Sequence, residues 1–146
     1  MPTLLPLHDI GHVIQLAIAP VFMLTAIGTV INVLAGRLAR SVDRRRTLVA
    51  ALPKLGIDVA DVARAEVEFE VRRIRMIYHA ITMAVLSALL VCLLIALAFV
   101  DAYVAQDFGK LIALLFILAM LALIASLTIF MREIFLSLNS PRAPIV

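Results

Sequence analysis

The chain has 146 residues, 64% of them hydrophobic and 16% charged, with a mean hydropathy of +1.13 and a formal net charge of +3. Soluble globular domains run at roughly half apolar residues, so the composition excludes that class and predicts an all-α integral membrane protein. The pI near 9.6 does not point to nucleic acid, because neither aromatic interleaving nor a separate basic domain accompanies it.

Residues 1–12 precede the first apolar run. His8 and His12, with Asp9 between them, have i,i+4 spacing. They could supply half of a zinc site completed by Asp101, Asp107 or another subunit. Solvated interfacial histidines are the default reading, and no metal site is assigned.

Residues 13–36 form the first of three runs that approach the roughly 20 residues needed to cross about 30 Å of hydrocarbon. No Lys or Arg precedes it and no small-residue cleavage site ends it, so it reads as a retained span rather than a signal peptide. Pro20 removes one backbone hydrogen bond and predicts a kink. Gln15, Ile18, Phe22, Thr25, Thr29, Asn32 and Gly36 recur at intervals of three and four and so share one face. Polar groups facing lipid are costly unless satisfied. The later spans offer only Thr82, Ser87, Ser126 and Thr128 in answer. That deficit predicts a homo-oligomer with the first span at its centre. Its stripe then has two readings: a narrow pore in which Gln15, Thr25, Thr29 and Asn32 present oxygens to an inorganic ion, or interhelical glue. In the second case the small residues Ala17, Ala26, Gly28 and Ala35 allow close approach.

Residues 37–79 contain ten of the 13 Lys and Arg residues and one clear break, Leu52-Pro53-Lys54-Leu55-Gly56. This predicts two helices that continue the first two spans and fold back on each other at residues 52–57. Asp58 is the expected N-cap of the second, with Asp61 favouring the helix dipole. Its expected inner stripe is Ala63, Val67, Val71, Ile74 and Tyr78, packed against Leu38, Val42, Val49 and Leu52. Folding about Leu55 sets Arg44 opposite Glu66 and Arg40 opposite Glu70, and Glu68 to Arg72 is a same-helix i,i+4 pair. Arg37, Arg40, Asp43, Arg44, Glu66 and Glu70 are therefore the candidate set for salt bridging or for binding anionic lipid headgroups. A solvated face that also sets topology is the plainer reading.

The positive-inside rule makes this Arg-rich segment cytoplasmic. The N-terminus and the loop 101–110 then lie outside, and the tail 132–146 inside.

The remaining spans are 80–100 and 111–131. Cys92, mid-span, is expected to pack, and His79 to make an interfacial hydrogen bond. No span contains Asp, Glu, Lys or Arg, which argues against a proton relay or an ion-coupled transporter. No nucleophile elbow, phosphate loop or metal-binding helix motif occurs, so neither an enzyme nor a cofactor is expected.

Asn32, then Arg37-Leu38-Ala39-Arg40 and Asp43-Arg44, followed by Arg72-Arg73-Ile74-Arg75 leading into the second span, resemble the bacterial membrane family called domain of unknown function 2721. The likeness covers roughly Ile14 to Leu136. It implies a small multi-span protein of the bacterial inner membrane and brings no catalytic residues. The expectation is thus a homo-oligomer with a small ion-permeable pore along the first span and the hairpin as stalk or gate. The alternative is a non-conducting scaffold whose arginine hairpin binds a partner or anionic lipid.

Overall fold

The computed structural model describes residues 7–54, 56–104 and 108–138. They form three α-helices, α1 (Leu7–Ala51), α2 (Ile57–Val104) and α3 (Gly109–Leu138), with a 3-10 turn, Leu52–Lys54, between the first two. No strand occurs among the described residues. All three helices are long and apolar enough to cross a membrane. At about 1.5 Å rise per residue, α1 and α2 are each about 70 Å long, more than twice the hydrocarbon thickness. Large apolar side chains such as Phe22, Leu89, Leu121 and Phe135 face outward. Such a surface is tolerable in lipid and not in water, and the chain is a multi-pass membrane protein.

The break between α1 and α2 falls where Pro53 and Gly56 lie. The Gly56 carbonyl accepts the Ala60 N–H at 2.9 Å, so α2 starts at Ile57 and Asp58 lies inside its first turn rather than capping it. The Asp58 side chain lies outside the described residues, as do those of His8, Asp9, His12 and Asp107. α1 runs unbroken through Pro20.

The chain divides into two compact units. The first comprises Met1–Val30 and Met83–Ile124. Here Ala84, Ser87, Val91 and Leu94 of α2 are buried, as are Leu115 and Ala119 of α3. Ser87 Oγ donates to the Ala119 carbonyl at 2.8 Å. Small residues at this α2–α3 contact let the backbones approach closely enough for that bond. At the start of α3, Asp101 Oδ1 accepts the Phe108 N–H at 2.9 Å. It thus satisfies one of the donors that a helix N-terminus leaves unpaired. Cys92 is exposed in the protomer rather than packed.

The second unit comprises Ile31–Thr82 and Ala125–Val146. Apart from Ala60, the buried positions among its described residues follow a heptad spacing: Leu34, Ser41 and Leu48 on α1, Ala63, Glu66, Glu70, Ile77 and Ala80 on α2, and Ser126 and Glu133 on α3. Seven residues per two turns is the signature of knobs-into-holes packing. Ser126 Oγ donates to the Ala80 carbonyl at 2.8 Å, repeating the small-residue contact of the first unit.

The expected α1–α2 stripe is met in part: Ala63, Val67 and Leu52 pack together, while Leu48 and not Val49 faces them. Leu48 and Ala63 are fully buried together, with Leu52 and Val67 packed against them. Val49 and Tyr78 are exposed, and Leu38, Val42, Val71 and Ile74 are half-buried. The seam's buried positions hold Ser41, Glu66 and Glu70. Because ion pairs occupy the centre, the apolar residues flank it.

A buried carboxylate network and an arginine-lined cavity

Among the described residues of the second unit, three carboxylates are buried: Glu66, Glu70 and Glu133. Burying an ionised carboxylate is expensive unless it is paired and hydrogen-bonded, and each one meets arginine. Glu66 Oε1 accepts from Arg44 Nε at 2.9 Å and lies 2.9 Å from Arg44 Nη2 in an ion pair. Arg73 donates Nε and Nη2 to Glu133 Oε1 at 3.0 and 2.8 Å, and Nη1 to Glu70 Oε1 at 2.9 Å. One guanidinium fork thereby joins carboxylates on α2 and α3, a use of planar geometry that lysine could not reproduce.

Arg37 completes the network from α1. Its Nη2 lies 2.8 Å from Glu133 Oε2, close enough for an ion pair. The contact lies off the N–H direction, so that oxygen and the buried Arg37 Nε make no aligned hydrogen bond. The Arg37 guanidinium also sits 5.4 Å from the Phe130 ring centroid, within cation–π range.

Of the residues singled out from sequence, Arg44 and Glu66 are brought together. Arg40 and Glu70 are not: Glu70 pairs with Arg73, and Arg40 is exposed with no ion pair among the described residues. Asp43 is exposed, and its backbone carbonyl accepts from Thr47 Oγ1 at 3.0 Å. Glu68 and Arg72 are exposed and do not pair, whereas Arg64 and Asp61 do at 2.8 Å. His79 Nδ1 lies 2.6 Å from the Arg75 carbonyl.

On α1, Gln15, Thr25, Thr29 and Asn32 are all exposed. The Thr25 hydroxyl turns back to the Val21 carbonyl at 3.5 Å and that of Thr29 to the Thr25 carbonyl at 3.0 Å. These bonds reduce the demand of both threonines for an outside partner. The side-chain amides of Gln15 and Asn32 find no partner among the described residues. Ser87 and Ser126 are committed to α2–α3 bonds and Thr82 to the Tyr78 carbonyl, so they do not answer this stripe.

Arg73, Glu133, Ser41 and Ser137 were not in the candidate set. Glu133 had a signal in the sequence. It is the only acidic residue after Asp107, it lies just beyond an apolar run, and it is in step with Ala119 and Ser126 at intervals of seven. A lone carboxylate at the end of a span requires a cation from another helix.

The arginines border a cavity of about 520 Å³. Arg37, Arg40, Ser41 and Arg44 from α1, Glu66, Glu70 and Arg73 from α2, and Ser137 from α3 form its wall. Four arginines face two carboxylates in the wall, with Glu133 behind them, so one formal positive charge is left uncompensated. The carboxylates hold the guanidinium forks in place and keep these cations from repelling one another. What remains is a polar space walled by guanidinium and hydroxyl groups, three of the four arginines held by carboxylates and Arg40 unpaired among the described residues, and such a space accommodates an anion.

No curated protein and no solved structure gives a significant match to the chain. A family model described as "Protein of unknown function (DUF2721)" matches residues 17–143, a stretch that includes every helix of the second unit, and the chain belongs to that family.

Proposed function

We propose that this membrane protein binds an anionic ligand at the arginine-lined cavity, on the cytoplasmic side of the membrane. The reading makes it a non-conducting interaction protein rather than an enzyme. The observation that carries it is the presence of four arginines around one cavity, with Arg40 uncompensated and exposed while buried carboxylates fix the other three. The cytoplasmic placement is supported by the concentration of Lys and Arg in residues 37–75. α1 and α2 then form a cytoplasmic helical hairpin.

The test is the thermal midpoint of the purified protein in neutral detergent, with phosphate or sulfate compared against chloride at matched ionic strength. Multivalent oxyanions stabilise many proteins by exclusion from the surface, so the informative comparison is with Arg40→Gln. That side chain is exposed and unpaired, and its loss leaves the fold intact. An oxyanion-specific rise of several degrees that vanishes in Arg40→Gln is the expected result. An equal rise in both proteins rejects the site.

A second reading is a homo-oligomer in which the stripe of α1 meets its copies, around a small ion-permeable pore or as glue. The observation favouring it is the exposed, unsatisfied amide of Asn32 within an apolar run. Gly28 provides a test, because a Cβ added there meets nothing within 4 Å in the protomer. Gly28→Leu is therefore expected not to destabilise the protomer, since leucine is the better helix former, while lowering the oligomer mass in native mass spectrometry. An unchanged mass removes α1 from any interface. Single-channel recording with Asn32→Leu then separates pore from glue, since only a pore loses or alters its conductance.

A further inference from the structure

Resting on the anion-binding reading, we infer that the cavity holds the phosphodiester of a monoanionic phospholipid whose headgroup alcohol carries free hydroxyls. The charge count gives the first argument: one uncompensated arginine, Arg40, matches one phosphodiester charge.

The donor set gives the second. Arg44 commits Nε and Nη2 to Glu66, and its Nη1 has no acceptor among the described residues. Ser41 is 2% exposed and lines the cavity, yet its hydroxyl makes no hydrogen bond among the described residues. Arg37 Nε is likewise buried and unbonded. These donors follow i, i+3, i+4 and i+7 along α1, so they share one face. A planar carboxylate offers its oxygens in one direction, whereas the oxygens of a phosphate are distributed tetrahedrally and can meet several forks and a hydroxyl at once.

The acceptors argue for the alcohol. Glu70 lines the same cavity, and its buried Oε2 has no hydrogen-bond donor among the described residues. A bare anion leaves that oxygen without a donor, whereas a headgroup hydroxyl would donate to it. The cavity's roughly 520 Å³ corresponds to about 17 waters at roughly 30 Å³ each, which is room for a headgroup rather than a lone ion.

The source follows from position in the chain. Arg37 directly follows the first apolar run, Arg73 precedes the second, and Ser137 lies just beyond the third. Lipid headgroups occupy that level of a bilayer, where clustered basic residues attract anionic lipid.

The full chain in neutral detergent is titrated with phosphatidylglycerol, phosphatidylethanolamine, phosphatidylcholine or soluble glycerol phosphate, and binding is read by native mass spectrometry. The expected result is at least about tenfold preference for phosphatidylglycerol over phosphatidylcholine, lost in Arg40→Gln and weakened in Ser137→Ala. Arg45→Gln with Arg46→Gln is the control, because both side chains are exposed and lie outside the cavity wall. If this control loses as much preference as Arg40→Gln, the attraction is diffuse and the inferred site is wrong. Equal binding of all three lipids, or a preference for phosphatidylethanolamine, also overturns it. Tight binding of glycerol phosphate without lipid preference overturns the lipid source but spares the anion-binding reading. The absence of any Arg40-dependent anion binding, lipid or soluble, rejects both.

Discussion

Glu133→Gln is expected to lower the stability of the protein by about 3 kcal/mol, the scale for breaking a buried ion pair by removing one partner. The substitution is nearly isosteric, so packing changes little and the effect isolates the charge. Glu133 is fully buried, and its two oxygens serve Arg37 and Arg73. Without its charge, Arg73 keeps Glu70, but Arg37 loses its ion-pair partner while its side chain is only 24% exposed. Thermal unfolding in detergent or nanodiscs should register a fall of about 6–12 °C for a chain of this size. The double variant Glu133→Leu with Arg37→Met removes both charges and should recover more than half of that loss, since a buried pair can be replaced by apolar packing at little net cost. A Glu133→Gln protein as stable as the parent would mean that water reaches Glu133 and that the network does not order the second unit.

The three helices were legible because span length and apolarity depend only on local sequence. The break at Leu52–Gly56 was legible for the same reason, since Pro and Gly act on their own backbone. The Arg44–Glu66 contact followed from folding two adjacent helices about one short turn, which leaves little freedom in register.

The Arg73–Glu133 contact joins residues 60 apart in sequence. It depends on how α3 packs, and no local pattern encodes that. The misplaced stripe has a different cause. Counting apolar residues presumes that the interior is apolar, and it selects Val71 and Ile74 over Glu66 and Glu70. The heptad of buried positions is regular only when Ser41, Glu66, Glu70 and Glu133 are admitted to it. A reading that asked where each carboxylate near a span finds its cation would have reached Glu133.

The register itself is open to a direct comparison of neighbours. Leu48→Ala is expected to cost about 2 kcal/mol, at the low end of the range for emptying a buried leucine site. Leu48 is fully buried in a cluster with Ala63, Leu52 and Val67. That cluster is small and lies beside the 3-10 turn Leu52–Lys54, where the chain can close partly around the gap. Val49→Ala, one residue on, should change stability by less than about 0.5 kcal/mol, because Val49 is 45% exposed. The order reverses under the stripe expected from apolar periodicity, which puts Val49 inside. The two outcomes therefore differ in sign, and paired thermal melts of the variants decide between them. Ala63→Leu sharpens the comparison: Ala63 is fully buried against Leu48, so the added bulk should overpack the seam and cost about 1–3 kcal/mol. Much of that loss should return when it is combined with Leu48→Ala, because the larger side chain at 63 would occupy the space vacated at 48. Such compensation is a coupling between contacting residues, and it would not arise if α1 and α2 were paired one residue out of this register.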